Sequence, residues 1–385
     1  MPGSKSFTGE DMVEIFSHAG TYTLKNILDI VLKEYSRPAE AGEFSQRRFL
    51  NHNLDLTRLE GAAEVVAAKT DLAWRLSRDH LVGIYGEHIS GIRQKIVQLL
   101  AEIEADIDFP DEDDLGSIGQ KQLQNKIDSI ISDLQQLSES YHTGKIIRDG
   151  LRVIIIGPPN AGKSSLFNRL VKGYRALVTP VPGTTRDYLS EWIDIDGLPV
   201  ELYDTAGLRR GRGQIEKAGI EATRKLIGKA DLVISVFDTN GRFYDLSPVK
   251  LKKYQKLIIA LNKIDVSGNG QAKIKKWQDH LNQSENIIPL SAKTGRGIKK
   301  LLDTIKQMAG MEDLTESLVV TSLRHKNKID NTLEHLNEVR KNLNLPPEII
   351  SFELRQAADQ IGEITGHIYT EQILDEIFSS FCIGK

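Results

Sequence analysis

Hydrophobic positions along this chain change their period twice. Over residues 54–137 they recur every three to four residues in long runs. Ile92, Ile96, Leu99 and Ile103 share one helical face, and Leu123, Ile127, Ile130, Leu134 and Leu137 share another. From 151 to 309 the pattern shortens to compact apolar runs at 153–156, 200–203, 232–237, 257–261 and 287–290, the kind buried on both faces of a parallel sheet. The run Ile193-Asp194-Ile195-Asp196-Gly197 leading into Val200-Glu201-Leu202 predicts an antiparallel hairpin turning at Asp196-Gly197. Beyond Ala309 helical stripes return, first Ile329, Leu333, Leu336 and Leu343, then Leu354, Ala358, Ile361 and Ile368, with Pro346-Pro347 between them. The expected fold is α/β plus α: a doubly wound domain with one antiparallel edge, inserted in a discontinuous helical domain whose two parts pack together.

The first 52 residues read as a partial α+β domain. Residues 9–16 alternate apolar and polar like a strand, and 22–35 read as an amphipathic helix, after which Arg37-Pro38 breaks the pattern. One strand and one helix cannot close a core alone, so this segment is expected to dock elsewhere or to be a remnant of something larger. The expected domains are 1–52, a helical part at 53–148, the α/β unit at 149–309 and a second helical part at 310–385. Within the helical part, Phe109-Pro110-Asp111-Glu112-Asp113-Asp114 reads as a solvated connector, with Pro110 stopping the preceding helix.

Composition narrows the function classes. The chain has 385 residues, 40% hydrophobic and 27% charged, enough for two or three cored domains of an ordinary globular protein. No apolar run approaches the roughly 20 residues needed to cross a bilayer, and a cytosolic protein is expected. A formal net charge of −3 excludes a protein that is basic throughout. The lysines at 250, 252, 253 and 256, then 273, 275 and 276, are read as solvated helix faces. A single cysteine, Cys382, rules out an internal disulfide or a Cys-rich metal site.

The chemistry centres on Gly157-Pro158-Pro159-Asn160-Ala161-Gly162-Lys163-Ser164, preceded by the apolar run at 153–156 and followed by Ser165 and a helix-like segment. A Gly-rich loop of this spacing turns backbone N–H groups inward at a helix N-terminus, whose dipole also favours phosphate. In such a loop Lys163 reaches the β- and γ-phosphates and the Ser164 hydroxyl ligates Mg²⁺.

Downstream stand Gly183-Thr184-Thr185-Arg186-Asp187, Asp204-Thr205-Ala206-Gly207, Asn262-Lys263-Ile264-Asp265 and Ser291-Ala292-Lys293. Their order and spacing resemble the translation-factor branch of GTPases, each at the C-terminal end of an expected strand or just beyond it. Asp265 can accept two hydrogen bonds from the N1–H and N2 amino group of guanine, a match that adenine lacks, which favours GTP over ATP. Asn262 and Lys263 brace that pocket, and Ala292 offers a backbone N–H to guanine O6. Asp204 is placed to hold the Mg²⁺ shell, and the Gly207 amide to sense the γ-phosphate. Leu208 occupies the position where Ras-type GTPases carry the Gln that orients water, so another group must hold it here.

Asn160, the Gly183–Asp187 signature, Leu208 and the terminal Phe381-Cys382-Ile383-Gly384-Lys385 together resemble the MnmE (TrmE) family of tRNA-modification GTPases. The resemblance spans the chain, since Ser6-Phe7-Thr8-Gly9-Glu10-Asp11 and Gly42-Glu43-Phe44-Ser45 match the N-terminal domain of that family. Era-like ribosome-assembly GTPases share the nucleotide motifs but neither end. The resemblance implies a Ras-like GTPase domain that hydrolyses GTP with K⁺ in the place of an arginine finger. It implies K⁺ ligands from Asn160, Thr179, Val181 and Thr184, and Mg²⁺ ligands from Ser164 and Thr185. It further implies Glu216 as the group orienting the attacking water, Cys382 as a residue of the tRNA chemistry, and modification of the wobble uridine with an FAD-containing partner of the MnmG (GidA) family. The first domain of the family binds a folate one-carbon donor and forms a homodimer. Most of it is expected upstream of Met1, either beyond a misplaced start or lost by truncation, so folate binding and dimerisation are weaker expectations than the nucleotide site. Two alternatives from other classes are an Era-like ribosome-assembly factor and a helical scaffold with a vestigial nucleotide site.

Overall fold

A computed structural model describes residues 1–18, 20–34, 36–52, 54–108, 119–174, 190–204, 225–241, 251–252, 254–266, 274–277, 279, 286–311, 318–379 and 381. The chain divides into two compact units, one comprising Met1–Ala67, Arg75–Glu139 and Ser322–Lys385, the other Ala68–Trp74 and Ser140–Thr321.

The second unit is built on a six-stranded sheet: β1 (Leu151–Ile156), β2 (Ser190–Ile195), β3 (Leu198–Asp204), β4 (Leu232–Asp238), β5 (Lys256–Asn262) and β6 (Ile287–Pro289), in the order β2-β3-β1-β4-β5-β6. All neighbours are parallel except the β2–β3 pair. Strand order reverses beside β1, so the loop leaving β1 opens at the switch point where α/β sheets bind ligands. The hairpin between β2 and β3 turns at Asp196 (φ 51°) and Gly197 (φ 94°), both left-handed as a two-residue turn of matching twist demands. Val153, Ile154 and Ile155 are fully buried because β1 is covered on both faces. Its odd side meets Leu166 and Leu170 of one cluster and its even side meets Leu226 and Val233 of another.

The other unit contains helices α1 (Thr21–Glu34), α2 (Glu43–His52), α3 (Leu56–Ala67) and α5 (Ile84–Asp108). Helices α4 (Asp71–Val82) and α6 (Gln120–Asp149) each run from one unit into the other. Past the sheet come α9 (Leu323–Lys341), α10 (Pro347–Thr365) and α11 (Glu371–Ser379); α7 (Lys163–Gly173) and α8 (Ile298–Met308) lie in the sheet unit. The stripes at 92–103 and 123–137 are buried as their spacing demands. Helix α10 packs against both α5 and α9. Helix α5 ends at Asp108, and the acidic segment 109–114 lies outside the described residues.

Three expectations differ from the structure. Residues 9–16 form no strand among the described residues; Val13 and Phe16 are 88% and 87% exposed, and an alternating segment without a partner has no ladder to complete. Leu343 falls past the end of α9, and Ile368 past the end of α10. There Gly366 at φ 85° caps the helix, with Gly366 and His367 N–H groups both donating to Gly362 O. Among the described residues, no helix is long and apolar enough to cross a membrane.

Candidate nucleotide-binding site

The loop between β1 and α7 takes its shape from three left-handed residues, Gly157 (φ 144°), Asn160 (φ 61°) and Gly162 (φ 95°). A side chain at Gly157 would stand 2.2 Å from Val236 O of β4, and one at Gly162 would stand 2.1 Å from Asn262 Nδ2. Both glycines are therefore required by close approach as well as by φ. Helix α7 opens directly after Gly162, with its first residues Lys163 and Ser164 facing an open cleft of about 580 Å³ lined also by Pro159, Asn160, Gly162, Ser165 and Lys263. That volume suits a nucleotide-sized ligand.

Lys163 is only 7% exposed, and its ammonium donates to Pro158 O at 2.8 Å, a contact that curls the loop around its own lysine. The Ser164 hydroxyl donates to Asp204 Oδ2 at 3.0 Å, joining the start of α7 to the end of β3. Two hard oxygens at one edge of the cleft, one of them a carboxylate, form a donor set that suits Mg²⁺.

Beside the cleft stands Asn262, 2% exposed at the end of β5. Its Nδ2 donates to Ala161 O at 2.9 Å, and its Oδ1 accepts the Ala292 N–H at 2.9 Å, so one amide ties the phosphate loop to the loop after β6. The Ala292 N–H expected to face guanine O6 is thus engaged by Asn262, and a base must share or take over that bond. Lys263, at φ 68°, donates to Asn160 O at 2.7 Å and to Asp238 Oδ2 at 2.8 Å. Its aliphatic stem is fixed along the cleft. Asp265 is exposed, and a hydrogen bond from Ser291 holds its carboxyl below the ordinary range, so it is ionised and acceptor-only. Ser291 is fully buried and its hydroxyl also accepts the Thr294 N–H at 3.1 Å, while Lys293 lies exposed beside it.

The structure thus gathers Asn160, Ala161, Gly162, Lys163, Ser164, Ser165, Asp204, Asn262, Lys263, Asp265, Ser291, Ala292 and Lys293 around one end of the sheet. Thr179, Val181, Thr184, Thr185, Gly207, Glu216 and Cys382 lie outside the described residues. Sequence reading missed Asp238, although its place at the C-terminal end of an expected strand was a usable signal. It also missed Arg169, whose Nε donates to Ala292 O at 3.1 Å from six residues beyond Lys163. No local pattern marks that residue.

Residues 56–382 match the family model described as the MnmE helical domain, and residues 1–53 match that of the GTP-binding protein TrmE N-terminus. A tRNA modification GTPase MnmE of Desulforamulus reducens is 41% identical over 391 residues, covering 100% of this chain and 84% of that protein. Proteins of the same name from Aquifex aeolicus and Clostridioides difficile are 39% and 37% identical, covering 99% and 100% of this chain and 84% of each relative. Among solved structures, the G domain of the T. maritima FeoB iron transporter aligns with 41% of this chain and 98% of its own, at 28% identity and a TM-score of 0.31.

Proposed function

This chain belongs to the MnmE (TrmE) family of tRNA modification GTPases, and from that membership we propose that it uses K⁺ in GTP hydrolysis to drive C5 modification of the wobble uridine with an FAD-dependent partner of the MnmG (GidA) family. It is a GTP-hydrolysing enzyme of tRNA modification. The observation that carries the nucleotide assignment is the amide of Asn262, which fastens the phosphate loop to the loop beside Asp265.

In this reading the backbone of the β1–α7 loop and Lys163 cradle the phosphates, and Asp265 accepts the two guanine donors. Lys163 exchanges its bond to Pro158 O for phosphate oxygens. Ser164 and Asp204, with Thr185, would hold Mg²⁺. Asn160 is exposed and lines the cleft, and an amide oxygen is a donor that suits a monovalent cation, with Thr179, Val181 and Thr184 as further ligands. Held there, K⁺ would supply positive charge to offset the negative charge that develops as the phosphate bond breaks, the role that arginine fingers fill elsewhere. Glu216 orients the attacking water in place of the Gln that Leu208 replaces, the Gly207 amide senses the γ-phosphate, and Cys382 acts in the tRNA chemistry.

We further propose that the nucleotide unit is an insertion, 149–309, between helical parts 53–148 and 310–385, a reading supported by the discontinuity of the helical unit. Residues 1–52 form part of an N-terminal folate-binding and dimerising domain, supported by the match over 1–53. The cytoplasm is the proposed compartment. The ribosome-assembly alternative accounts for the nucleotide motifs alone, not for matches over nearly the whole chain.

Reconstitution tests the reading. The purified chain, an FAD protein of the MnmG family, GTP, Mg²⁺, K⁺, a methylene-level folate one-carbon donor, glycine and wobble-unmodified tRNA are combined, and nucleosides are analysed by mass spectrometry. The expected product is a carboxymethylaminomethyl-type uridine that requires both proteins and GTP; unchanged uridine in the complete mixture contradicts it.

A further inference from the structure

We propose that Arg169 is a positioning residue of the guanine pocket: it fastens the base-reading loop to the helix that begins at the phosphate site. The inference rests on the nucleotide-site reading above. Arg169 lies on α7, six residues after Lys163, and is half-buried. Its Nε donates to Ala292 O at 3.1 Å, and a terminal guanidinium nitrogen donates to Lys293 O. The two acceptors are consecutive carbonyls, matched to the planar fork of a guanidinium and beyond the reach of a single ammonium point charge.

The loop gripped in this way is already a closed turn. Gly295 N donates to Ser291 O at 2.8 Å, and Ser291 N to Arg296 O at 2.9 Å. Gly295, at φ 87°, presents its Cα face to the guanidinium: a Cβ built there would sit 3.7 Å from Arg169 Cζ. Ala292 is held from two directions, its N–H by Asn262 and its carbonyl by Arg169. Asn262 anchors the loop to β5, whereas Arg169 anchors it to α7, the helix that carries Lys163 and Ser164. Without the second anchor the loop pivots on Asn262, and the group that meets guanine O6 is no longer preorganised. Such a loss falls on ground-state and transition-state binding alike, so it raises KM and leaves kcat in place.

Steady-state GTP turnover of wild type, Arg169→Ala and Arg169→Lys tests this, with ATP as competitor and thermal melting as a check on folding. Arg169→Ala is expected to raise KM for GTP about tenfold, the worth of roughly one charge-assisted hydrogen bond, with kcat within about twofold. The GTP-over-ATP preference shrinks in parallel. Arg169→Lys, which keeps charge and stem and loses one of two donors, falls between; it carries the test if the alanine variant does not fold. Millimolar guanidinium ion, but not ammonium, restores part of the alanine variant's KM. A KM within about twofold of wild type in the folded variants, or a fall in kcat with KM unchanged, overturns the proposal. Failure of the wild type itself to bind GTP would instead overturn the nucleotide-site reading.

Discussion

Truncating Asn262 to alanine removes two hydrogen bonds at once, the donation to Ala161 O and the acceptance of the Ala292 N–H, each 2.9 Å long. Asn262, Ala161 and Ala292 are 2%, 1% and 5% exposed, so water does not freely replace the lost amide. A buried donor or acceptor left unpaired costs about 1–3 kcal/mol, and two of them about 2–6 kcal/mol. Part of that cost lowers the melting temperature of the ligand-free protein. The rest weakens nucleotide binding, because the two anchors set the distance between the phosphate loop and the base-reading loop. If about half reaches the binding equilibrium, affinity for GDP falls roughly five- to a hundredfold, at 1.4 kcal/mol per factor of ten. Titration with a fluorescent GDP analogue gives the affinity, and melting without nucleotide gives the stability. An alanine variant that matches wild type in both measurements refutes the reasoning, since the two bonds would then carry no energy.

Two further predictions concern the helical unit. Burial alone would raise the Glu60 carboxyl, but Arg324, 2.9 Å away, and His325, 2.7 Å away, outweigh it and hold the group below its ordinary value of 4.5. A depressed carboxylate contributes stability that is fully present above its unfolded value and is lost as pH falls through the acid range below about 4.5. Glu60→Gln leaves Arg324 without its carboxylate, though still bonded to the Glu363 and Ile364 carbonyls, and is expected to cost about 3 kcal/mol near neutral pH, with the melting gap to wild type narrowing below about pH 4.5; a gap that stays constant through that range contradicts the assignment. The Tyr85 hydroxyl is fully buried with no hydrogen-bond partner among the described residues, so Tyr85→Phe is expected to leave stability unchanged or raise it by about 1 kcal/mol, whereas a clear loss in chemical denaturation would mean that the hydroxyl is satisfied.

Much of the sheet unit was legible because its signals are local. Five apolar runs gave five strands, and Asp196-Gly197 gave the hairpin turn by its left-handed demand alone. The spacing from Gly157 to Ser164 marked the loop that turns through left-handed Gly157, Asn160 and Gly162 between β1 and α7. What stayed hidden depends on contacts between elements distant in sequence. Arg169 and Ala292 meet only because α7 packs beside the loop after β6, and Lys263 meets Asp238 only because β4 and β5 are neighbours. Residues 9–16 failed as a strand because alternation describes a face, not a partner. Residues 68–74, read as part of the helical stretch, group instead with the sheet unit: Lys69 stands over the Trp192 ring at 4.0 Å and Leu72 lies against Gly197. The helical period there says nothing about which surface the turn covers.

The central claim, GTP hydrolysis assisted by K⁺ at Asn160, is tested most directly by measuring turnover of saturating GTP in KCl against NaCl at equal ionic strength, for wild type and Asn160→Ala. K⁺ is expected to accelerate the wild type by at least about tenfold, and the alanine variant to lose most of that difference. Equal wild-type rates in the two salts would contradict it.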